Sequence, residues 1–324
     1  MAIATGTLTT YATVGIREQL LNSIYNISPE DTPFMSAIGR DKKAENTKVE
    51  WQTDTLAAAA DSAVLEGDEY SFATPTSTTR PNNFCQINRK TLIVSGTDDA
   101  VKKAGRSKET AYQLEKRAKE LKTDMELAMV GANQASVAGS TTVIRRTGSL
   151  SSWLTSNASR GAGGANGGYN AGTGLTVAAT DGTQRAFAET QIKDVMQSAF
   201  TNGGKPRIAI MAPGQKRNFS AFASIAVNRV DNQPARNSEK QLVIAAAADI
   251  YKSDFGNVTA TPDNFCRARD VFLVDPNYAE TRYLRPFITD TPGKTGDATK
   301  KVLLVEWTLV VNNQAAHGVI ADLT

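Results

Sequence analysis

Residues 47–138 constrain the fold more than any other part of this 324-residue chain. The stretch opens with residues 49–55, in which every second side chain shares a face, as in a half-buried strand. A polar segment rich in Thr, Ala and acidic residues follows, and a second strand-like run over 84–97 leads into a long charged helix. The polar segment has too little apolar surface to build its own core, so this order predicts a projecting arm on a rigid helix.

An extended arm of this kind is longer than the radius of the domain that carries it. At about 3.3 Å per extended residue, an arm of about 20 residues reaches roughly 65 Å. A compact domain of the length of this chain has a radius of gyration of about 20 Å. An extended hairpin therefore overhangs its own domain. Composition alone leaves open a surface loop that folds back on the body.

The apolar spacing predicts one long helix over residues 107–133, with Ser107 as its N-cap. The predicted buried stripe alternates steps of three and four: Ala111, Leu114, Ala118, Leu121, Met125, Ala128 and Ala132. The other faces carry charged residues, Glu126 among them, several at i,i+4 spacings that stabilise a helix. At about 1.5 Å per residue, such a helix is a rod of roughly 42 Å.

Several other segments have clear patterns. They are an amphipathic helix over 16–25, an apolar anchor at Phe34, Met35 and Ile38, a Gly-rich loop over 160–174, a helix over 190–200, a strand and helix over 206–222, and strands over 271–274, 282–284 and 302–311. In the last strand, Leu303, Val305, Trp307, Leu309 and Val311 form one apolar face. Helices and strands in this order predict a mixed α and β chain.

Composition excludes several classes of protein. The net charge of +3 is close to balance, so any contact with DNA should be local and weak. Cys85 and Cys266 have no metal-binding spacing, and two free buried thiols are the favoured interpretation. No apolar run approaches the ~20 residues of a membrane span, and residues 1–15 lack the pattern of a signal peptide.

The inventory of reactive residues argues against an enzyme. His317 is the only histidine, so a Ser/His/Asp or Cys/His arrangement would have to use it, and a packed or solvated histidine is the favoured interpretation. The Gly-rich run 161–168 lacks the Lys-Ser/Thr of a phosphate loop, which favours a flexible loop. The sequence therefore predicts no catalytic residue, no cofactor and no metal site.

The order of several motifs resembles a known family. These are SPEDTPF at 28–34, the long hairpin, the charged helix, APGQKR at 212–217, DIYKSDFG at 249–256 and the C-terminal run 309–320. Together they resemble the major capsid proteins of tailed bacteriophages with the HK97-type fold, and among them the SU10-type major head protein family. Each motif alone is weak, but their order and spacing extend over nearly the whole chain.

The resemblance implies an α+β fold with five divisions. These are an N-terminal arm over 1–46, an E-loop over 47–97, a peripheral domain with the spine helix over 98–139, an axial domain over 140–265, and C-terminal strands over 266–324 that return to the peripheral domain. It also implies self-assembly into hexamers and pentamers that form an icosahedral shell around double-stranded DNA. The protein would then belong to the virion and assemble in the cytoplasm of a host bacterium.

Charge order suggests one contact between subunits. Asp61, Glu66, Asp68 and Glu69 form an acidic tip on the predicted arm, in a segment too polar to raise a catalytic pKa. Lys102, Lys103, Arg106 and Lys108 form a basic patch before the long helix. We expect the tip of one subunit to meet the patch of its neighbour.

The chain departs from family members that cross-link covalently through an E-loop lysine. Residues 49–79 contain no lysine, so noncovalent contacts or a separate cement or decoration protein should hold the shell. No long charged coiled-coil segment precedes the fold, which favours a separate scaffolding protein. The resemblance also implies a portal protein, and weak, non-specific contact between packaged DNA and the inner face.

Two alternatives remain open from the sequence. An encapsulin-like compartment would use the same fold to enclose protein cargo. An α/β enzyme that handles nucleotides or sugars, built on residues 206–222, is disfavoured by the single histidine and the missing phosphate loop.

Overall fold

The computed structural model describes residues 27–222 and 249–324, so the predicted helix over 16–25 lies outside the described residues. The helices are α1 (Pro33–Ala37), α2 (Gly96–Ala100), α3 (Glu109–Glu126), α4 (Glu189–Thr201) and α5 (Pro213–Ser220). The strands are β1 (Gly39–Lys43), β2 (Lys48–Glu50), β3 (Asn82–Phe84), β4 (Gln86–Ser95), β5 (Ala158–Ser159), β6 (Gly168–Asn170), β7 (Leu175–Val177), β8 (Ile208–Met211), β9 (Ile250–Ser253), β10 (Gly256–Pro262), β11 (Val271–Val274), β12 (Ala279–Asp290), β13 (Ala298–Val311) and β14 (Gly318–Ile320).

A four-stranded sheet has the order β1-β12-β13-β4, with β12 and β13 as its two inner strands. β13 pairs antiparallel with β12 on one side and with β4 on the other. The alternating face predicted from the sequence is buried, and Trp307 within it is fully enclosed. The Trp307 indole N–H donates to Asn88 Oδ1 at 3.1 Å, which satisfies the polar atom of this large core residue.

Helix α3 packs on this sheet, but both predicted ends of the long helix were wrong. The α-helix begins at Glu109, and the Thr110 N–H is capped by Asp99 Oδ1 at 3.1 Å rather than by Ser107. A π-helical turn, Leu127–Gly131, ends the rod. Ala111, at the start of the predicted stripe, is exposed, whereas the later stripe residues Leu121, Met125 and Ala128 are buried.

Glu126 was predicted to lie on the charged surface of the helix, and this prediction was wrong. Its carboxylate is fully buried and accepts the backbone N–H groups of Phe34 at 2.6 Å and Met35 at 2.9 Å. Phe34, Met35 and Ile38 are buried as the sequence predicted. The start of α1 brings two otherwise unpaired N–H groups to the helix, and their hydrogen bonds offset part of the cost of burying the carboxyl group.

A six-stranded sheet in the order β5-β14-β11-β8-β10-β9 forms the second half of the molecule. Ile192 and Met196 of α4 and Phe219 of α5 join its core. The predicted helix over 190–200 and the strand and helix over 206–222 are confirmed by α4, β8 and α5.

Two of the predicted divisions of the chain, 47–97 and 266–324, contribute strands to more than one sheet. Within 266–324, β12 and β13 belong to the four-stranded sheet, but β11 and β14 belong to the six-stranded sheet. Both short strands are apolar and buried along their length, which suits the interior of that sheet. Within 47–97, β4 is a strand of the four-stranded sheet, so most of the predicted return limb belongs to the body.

Glu126→Gln should make the Tm of the protein depend less on pH. Burial raises the pKa of Glu126 to about 8, and the neighbouring Asp263 carboxyl adds to the rise. Between the ordinary value of 4.5 and about 8, the folded protein holds a proton that the unfolded chain releases, so the free energy of unfolding falls as pH increases through this window. Glutamine stays neutral, so the Tm of the variant should fall less over the same window.

Glu115→Gln is the matched control, because it changes a carboxylate of the same helix that is 71% exposed. Thermal unfolding of all three proteins in a series of buffers supplies the comparison. If the Tm of E126Q and of the wild type changed in parallel with pH, the assignment of a proton to buried Glu126 would be wrong.

Candidate interaction surface

The hairpin between β2 and β3 leaves the body of the protein after a short paired base. The last pairing between its two limbs is at Thr53 and Thr79, whose backbones exchange N–H···O bonds of 2.9 Å and whose hydroxyls lie 2.6 Å apart. Residues 54–78, called the free arm below, contain a single backbone–backbone hydrogen bond, from Asp68 N–H to Leu65 O at 3.1 Å. That bond closes a turn in which Gly67 has φ +87°, a conformation that favours glycine.

Every residue of the free arm is exposed, including its large apolar side chains. These are Leu56 (99% exposed), Val64 (77%), Leu65 (83%), Tyr70 (88%) and Phe72 (94%). A group of exposed apolar side chains of this size usually marks an interaction surface. The arm therefore projects rather than folding back on its own body, and it carries apolar surface that the described residues of its own chain do not cover.

The base of the arm is held by aromatic and amide contacts. Trp51 lies 5.2 Å from Trp153, and Trp153 stacks on Tyr169 at 5.7 Å between ring centroids. Asn82 Nδ2 donates to Tyr169 Oη at 2.6 Å, and Asn83 Nδ2 donates to the Leu309 carbonyl of β13 at 2.7 Å. The direction in which the arm leaves is therefore set by the core.

The four residues of the acidic tip are all exposed on the free arm, with Glu66 and Asp68 in the Leu65–Asp68 turn, Glu69 directly after it and Asp61 four residues before it. Two of them make local bonds only: Asp61 Oδ1 accepts the Ala63 N–H, and Asp68 Oδ1 accepts the Glu69 N–H, each at 3.0 Å. No salt bridge to these carboxylates occurs among the described residues. Their charge is thus available to another molecule.

The basic patch is partly neutralised within its own chain. Lys103 Nζ lies 2.7 Å from Asp98 and 3.3 Å from Glu109, and Arg106 pairs with the same Glu109. Lys102 and Lys108 are exposed, and neither forms a salt bridge in the part of the chain that the structure describes. The contact between acidic tip and basic patch stays a prediction, and these two lysines are its most accessible members.

His317, the only histidine of the sequence, has a structural role. It is fully buried, and burial lowers its pKa to about 4. Its Nδ1 accepts the Asp275 N–H at 3.2 Å, which leaves the proton on Nε2, 3.3 Å from the Tyr278 carbonyl. A neutral, enclosed ring with both nitrogens in use is poorly placed for acid–base chemistry on a substrate.

Gly161, at the start of the Gly-rich run 161–168, packs against a buried carboxylate. Asp322 accepts the N–H of Gly161 at 3.0 Å and of Gly182 at 2.8 Å, and Arg269 pairs with it at 2.7 Å. A Cβ at Gly161 would collide with the Thr183 carbonyl oxygen. The glycine there serves close packing, and the expectation of a flexible loop does not describe this part of the run.

Among residues 27–222 and 249–324, no three His, Cys, Asp or Glu side chains group to hold a metal ion. No helix in these ranges has the length and hydropathy needed to cross a membrane.

Sequence reasoning predicted the acidic tip but missed the apolar side chains of the arm. They are dispersed among Ala, Thr and acidic residues, so the segment as a whole is polar. The available signal was the alternation of Tyr70 and Phe72, which places two aromatic rings on one face of an extended limb.

Comparison with known proteins places these features in a family. The family model described as SU10 major capsid protein matches residues 3–324. A curated relative, the major capsid protein of Escherichia phage Phieco32, is 38% identical over 113 residues. That alignment covers 35% of this chain and 32% of the relative, so the chain matches about a third of the relative's length.

Solved structures share the fold at low sequence identity. A chain of the cyanophage A-1(L) capsid asymmetric unit aligns with a TM-score of 0.64 at 14% identity, covering 98% of each chain. A chain of the holo-SrpI encapsulin complex from Synechococcus elongatus PCC 7942 gives 0.57 at 8% identity, covering 96% of this chain and 93% of that chain. These likenesses concern the fold alone, and they confirm the expected α+β architecture of HK97 type.

Endoproteinase Glu-C should cut the isolated subunit first after Glu66 and Glu69. Both lie in the free arm, where the exposed backbone can adapt to a protease without unfolding the body. Glu126 and Glu280 are buried and should resist. Mass spectrometry of early time points identifies the sites, and initial cleavage elsewhere in the described residues, with the arm intact, would contradict the projecting arm.

Proposed function

The chain belongs to the SU10 major capsid protein family, and we propose that its copies assemble into hexamers and pentamers that close an icosahedral shell around phage double-stranded DNA. The observation that carries this proposal is the free arm, whose apolar and acidic side chains have no partner surface in the described part of their own chain. The protein would be part of the virion and would assemble in the cytoplasm of the host bacterium.

The geometry supports assembly by a repeated, heterologous contact. In such a contact the arm of one subunit binds a different surface of the next subunit. When the rotation that relates neighbouring subunits returns to the first one, the subunits form a closed ring. Because the arm base is fixed to β13 through Asn83, every copy presents its arm in the same direction relative to its own sheets. Identical subunits therefore repeat the same contact around an axis.

Magnitudes indicate which side chains hold the arm. An exposed ion pair is worth about 0–1 kcal/mol. Full burial of a large apolar side chain is worth about 1.5–3 kcal/mol. The five exposed apolar residues therefore offer more stabilisation than the four carboxylates of the tip, which would contribute mainly to register and partner choice.

The arm offers no lysine for a covalent cross-link, since residues 49–79 contain none. Noncovalent contacts would therefore hold the shell, aided by a cement or decoration protein where one is present. We also propose a separate scaffolding protein and a portal protein as partners. Contact between the inner face and packaged DNA would be weak and non-specific, because the chain carries a net charge of only +3.

We assign the two sheets to the two domains that the capsid function implies. The four-stranded sheet with α3 would form the peripheral domain, and the six-stranded sheet with α4 and α5 the axial domain near the capsomer centre. The spine helix would be α3 with its terminal π-helical turn.

An encapsulin-like compartment is the second candidate, favoured by one observation, the likeness of the fold to the SrpI encapsulin chain. The two functions differ in what the shell encloses. Particles purified from cells that contain nucleic acid would support the phage shell, whereas particles with a protein cargo would support the compartment.

Negative-stain electron microscopy of the expressed protein tests assembly itself. Uniform shells, tubes or capsomer rings are expected. A protein that stays monomeric in light scattering at high concentration, under all salt conditions, would contradict the proposal and reopen the enzyme alternative.

Neutralising the acidic tip with Asp61→Asn, Glu66→Gln, Asp68→Asn and Glu69→Gln should weaken assembly in a salt-sensitive way. Each charge contact is small, but it recurs in every subunit, so a modest loss per contact becomes measurable in particle yield. The deficit relative to the wild type should be largest at low salt and should shrink as screening weakens the same contacts in the wild type.

The control neutralises four exposed acids outside the arm: Glu45, Glu115, Asp254 and Asp290. Particle yield and thermal stability are measured for both variants over a series of salt concentrations. Unchanged yield for the tip variant at every salt concentration would show that the acidic tip makes no assembly contact.

A further inference from the structure

Tyr70 and Phe72 are the largest exposed side chains of the free arm, at 88% and 94% exposed. They are two residues apart, so in an extended limb both rings point to the same side. Aromatic side chains bury about 150–250 Å² each and dominate the energetics of many interfaces. These two residues, called the anchor pair below, are therefore the side chains of the arm that would bury the largest apolar area against a partner.

A cavity of about 450 Å³ lies on the body beside the start of β4. It is lined by Ile87, Ala138, Gly139, Ser140, Val143, Ile144 and Arg145. We call it the hairpin cavity, because most of these residues belong to a short hairpin over 137–146 that is separate from the free arm. Its aliphatic walls are open to solvent, with Ile87 46%, Val143 52% and Ile144 72% exposed. Its size is within the range of protein pockets that take bulky apolar groups.

The walls of the hairpin cavity are fixed before any partner arrives. Val137 and Arg146 exchange backbone hydrogen bonds of 3.0 and 3.1 Å, and the Ser140 N–H donates to the Val143 carbonyl at 2.9 Å. Arg145 ties this hairpin to the sheet, because its guanidinium donates to the Cys85 carbonyl and pairs with Glu306. Little ordering is needed on binding, which favours affinity.

Charge around the two surfaces is complementary. Glu66, Asp68 and Glu69 immediately precede Tyr70. Arg89 and Arg146 are exposed on the two segments that line the cavity, β4 and residues 137–146, and neither forms a salt bridge among the described residues. The charge of Arg145, which lines the cavity, is already paired with Glu306. Arginine also makes favourable contacts with the face of an aromatic ring.

Other cavities of the described residues fit the anchor pair less well. A cavity of about 620 Å³ between β4 and α3 is lined by charged groups that include Asp98, Glu109, Arg117, Lys300 and Lys301. A cavity of about 720 Å³ at the arm base is lined by Trp153 and Tyr169 together with Thr and Asn side chains, but residues 53–55 and 79–81 of the arm base form part of its own wall. Burying an aromatic ring against the charged walls of the first cavity would leave polar groups without hydrogen-bond partners. The second cavity is already shaped by the base of the chain's own arm.

An arm cannot reach the hairpin cavity of its own chain while it is extended. Ile87 follows the arm base directly, whereas Phe72 lies nine residues before Pro81, about 30 Å out at about 3.3 Å per residue. We propose that the anchor pair of one copy enters the hairpin cavity of a second copy. This inference rests on the proposed shell assembly and names the surface that receives the arm.

Cysteine cross-linking tests the contact in assembled particles. Phe72→Cys combined with Ile144→Cys, treated with a short bismaleimide, should give a ladder of covalent oligomers on a denaturing gel. Background should be low because both native cysteines are buried, and burial raises the pKa of Cys85 to about 12 and that of Cys266 likewise above its ordinary value. The control pair, Phe72→Cys with Ile250→Cys, uses a residue of β9 that is 57% exposed and should give no ladder.

Ile144→Asp provides a second test that does not depend on cross-linking. The residue is 72% exposed, so the subunit should fold, but a charge in the cavity should reduce particle yield about tenfold or more. Ile250→Asp is the matched control and should assemble normally. Circular dichroism and the Tm of the subunits verify folding.

The outcomes separate this inference from the function on which it rests. Assembled particles with no ladder from the 72/144 pair, an equal ladder from the 72/250 pair, or full assembly of I144D would each overturn the assignment of the cavity and leave the shell function intact. A wild-type protein that does not assemble would overturn both.

Discussion

The apolar side chains of the free arm are not buried by the described part of their own chain. The function of the rest of the structure depends on this constraint. Five large apolar residues are 77% or more exposed on a hairpin whose limbs do not pair beyond Thr53 and Thr79. A chain that keeps such a surface must bury it against another molecule or risk non-specific association. Assembly of many copies satisfies this requirement.

The body gives the arm a fixed orientation. The aromatic stack at its base and the Asn83 amide connect it to β13, an inner strand of the four-stranded sheet. Helix α3 packs on that sheet, and Glu126 at its end holds the start of α1 through two backbone N–H groups. Helix α1, helix α3, the four-stranded sheet and the arm base are therefore connected, and they fix how the arm leaves the body.

Much of this fold could be predicted from the sequence because local periodicity decides it. The alternating apolar face of β13 and the strand and helix over 206–222 were found where expected, since the apolar spacing of these segments is visible in the sequence alone. Burial of the other face of β13, at Glu306 and Thr308, was not visible there. The helix start was missed because Asp99, a residue from a different element, caps it. Glu126 was missed because its burial depends on a segment about 90 residues away in sequence. The acidic tip was predicted from composition, whereas the pairing of Lys103 and Arg106 with Glu109 could be seen only in the structure.

The central claim is that another copy of the chain covers the free arm, and a cryo-electron microscopy map of assembled particles tests it most directly. The account predicts that Tyr70 and Phe72 are buried against a neighbouring subunit, with the arm extended from its base as in the isolated chain. An arm that lies on its own body in the particle, or that remains exposed to solvent at every position of the shell, would contradict it.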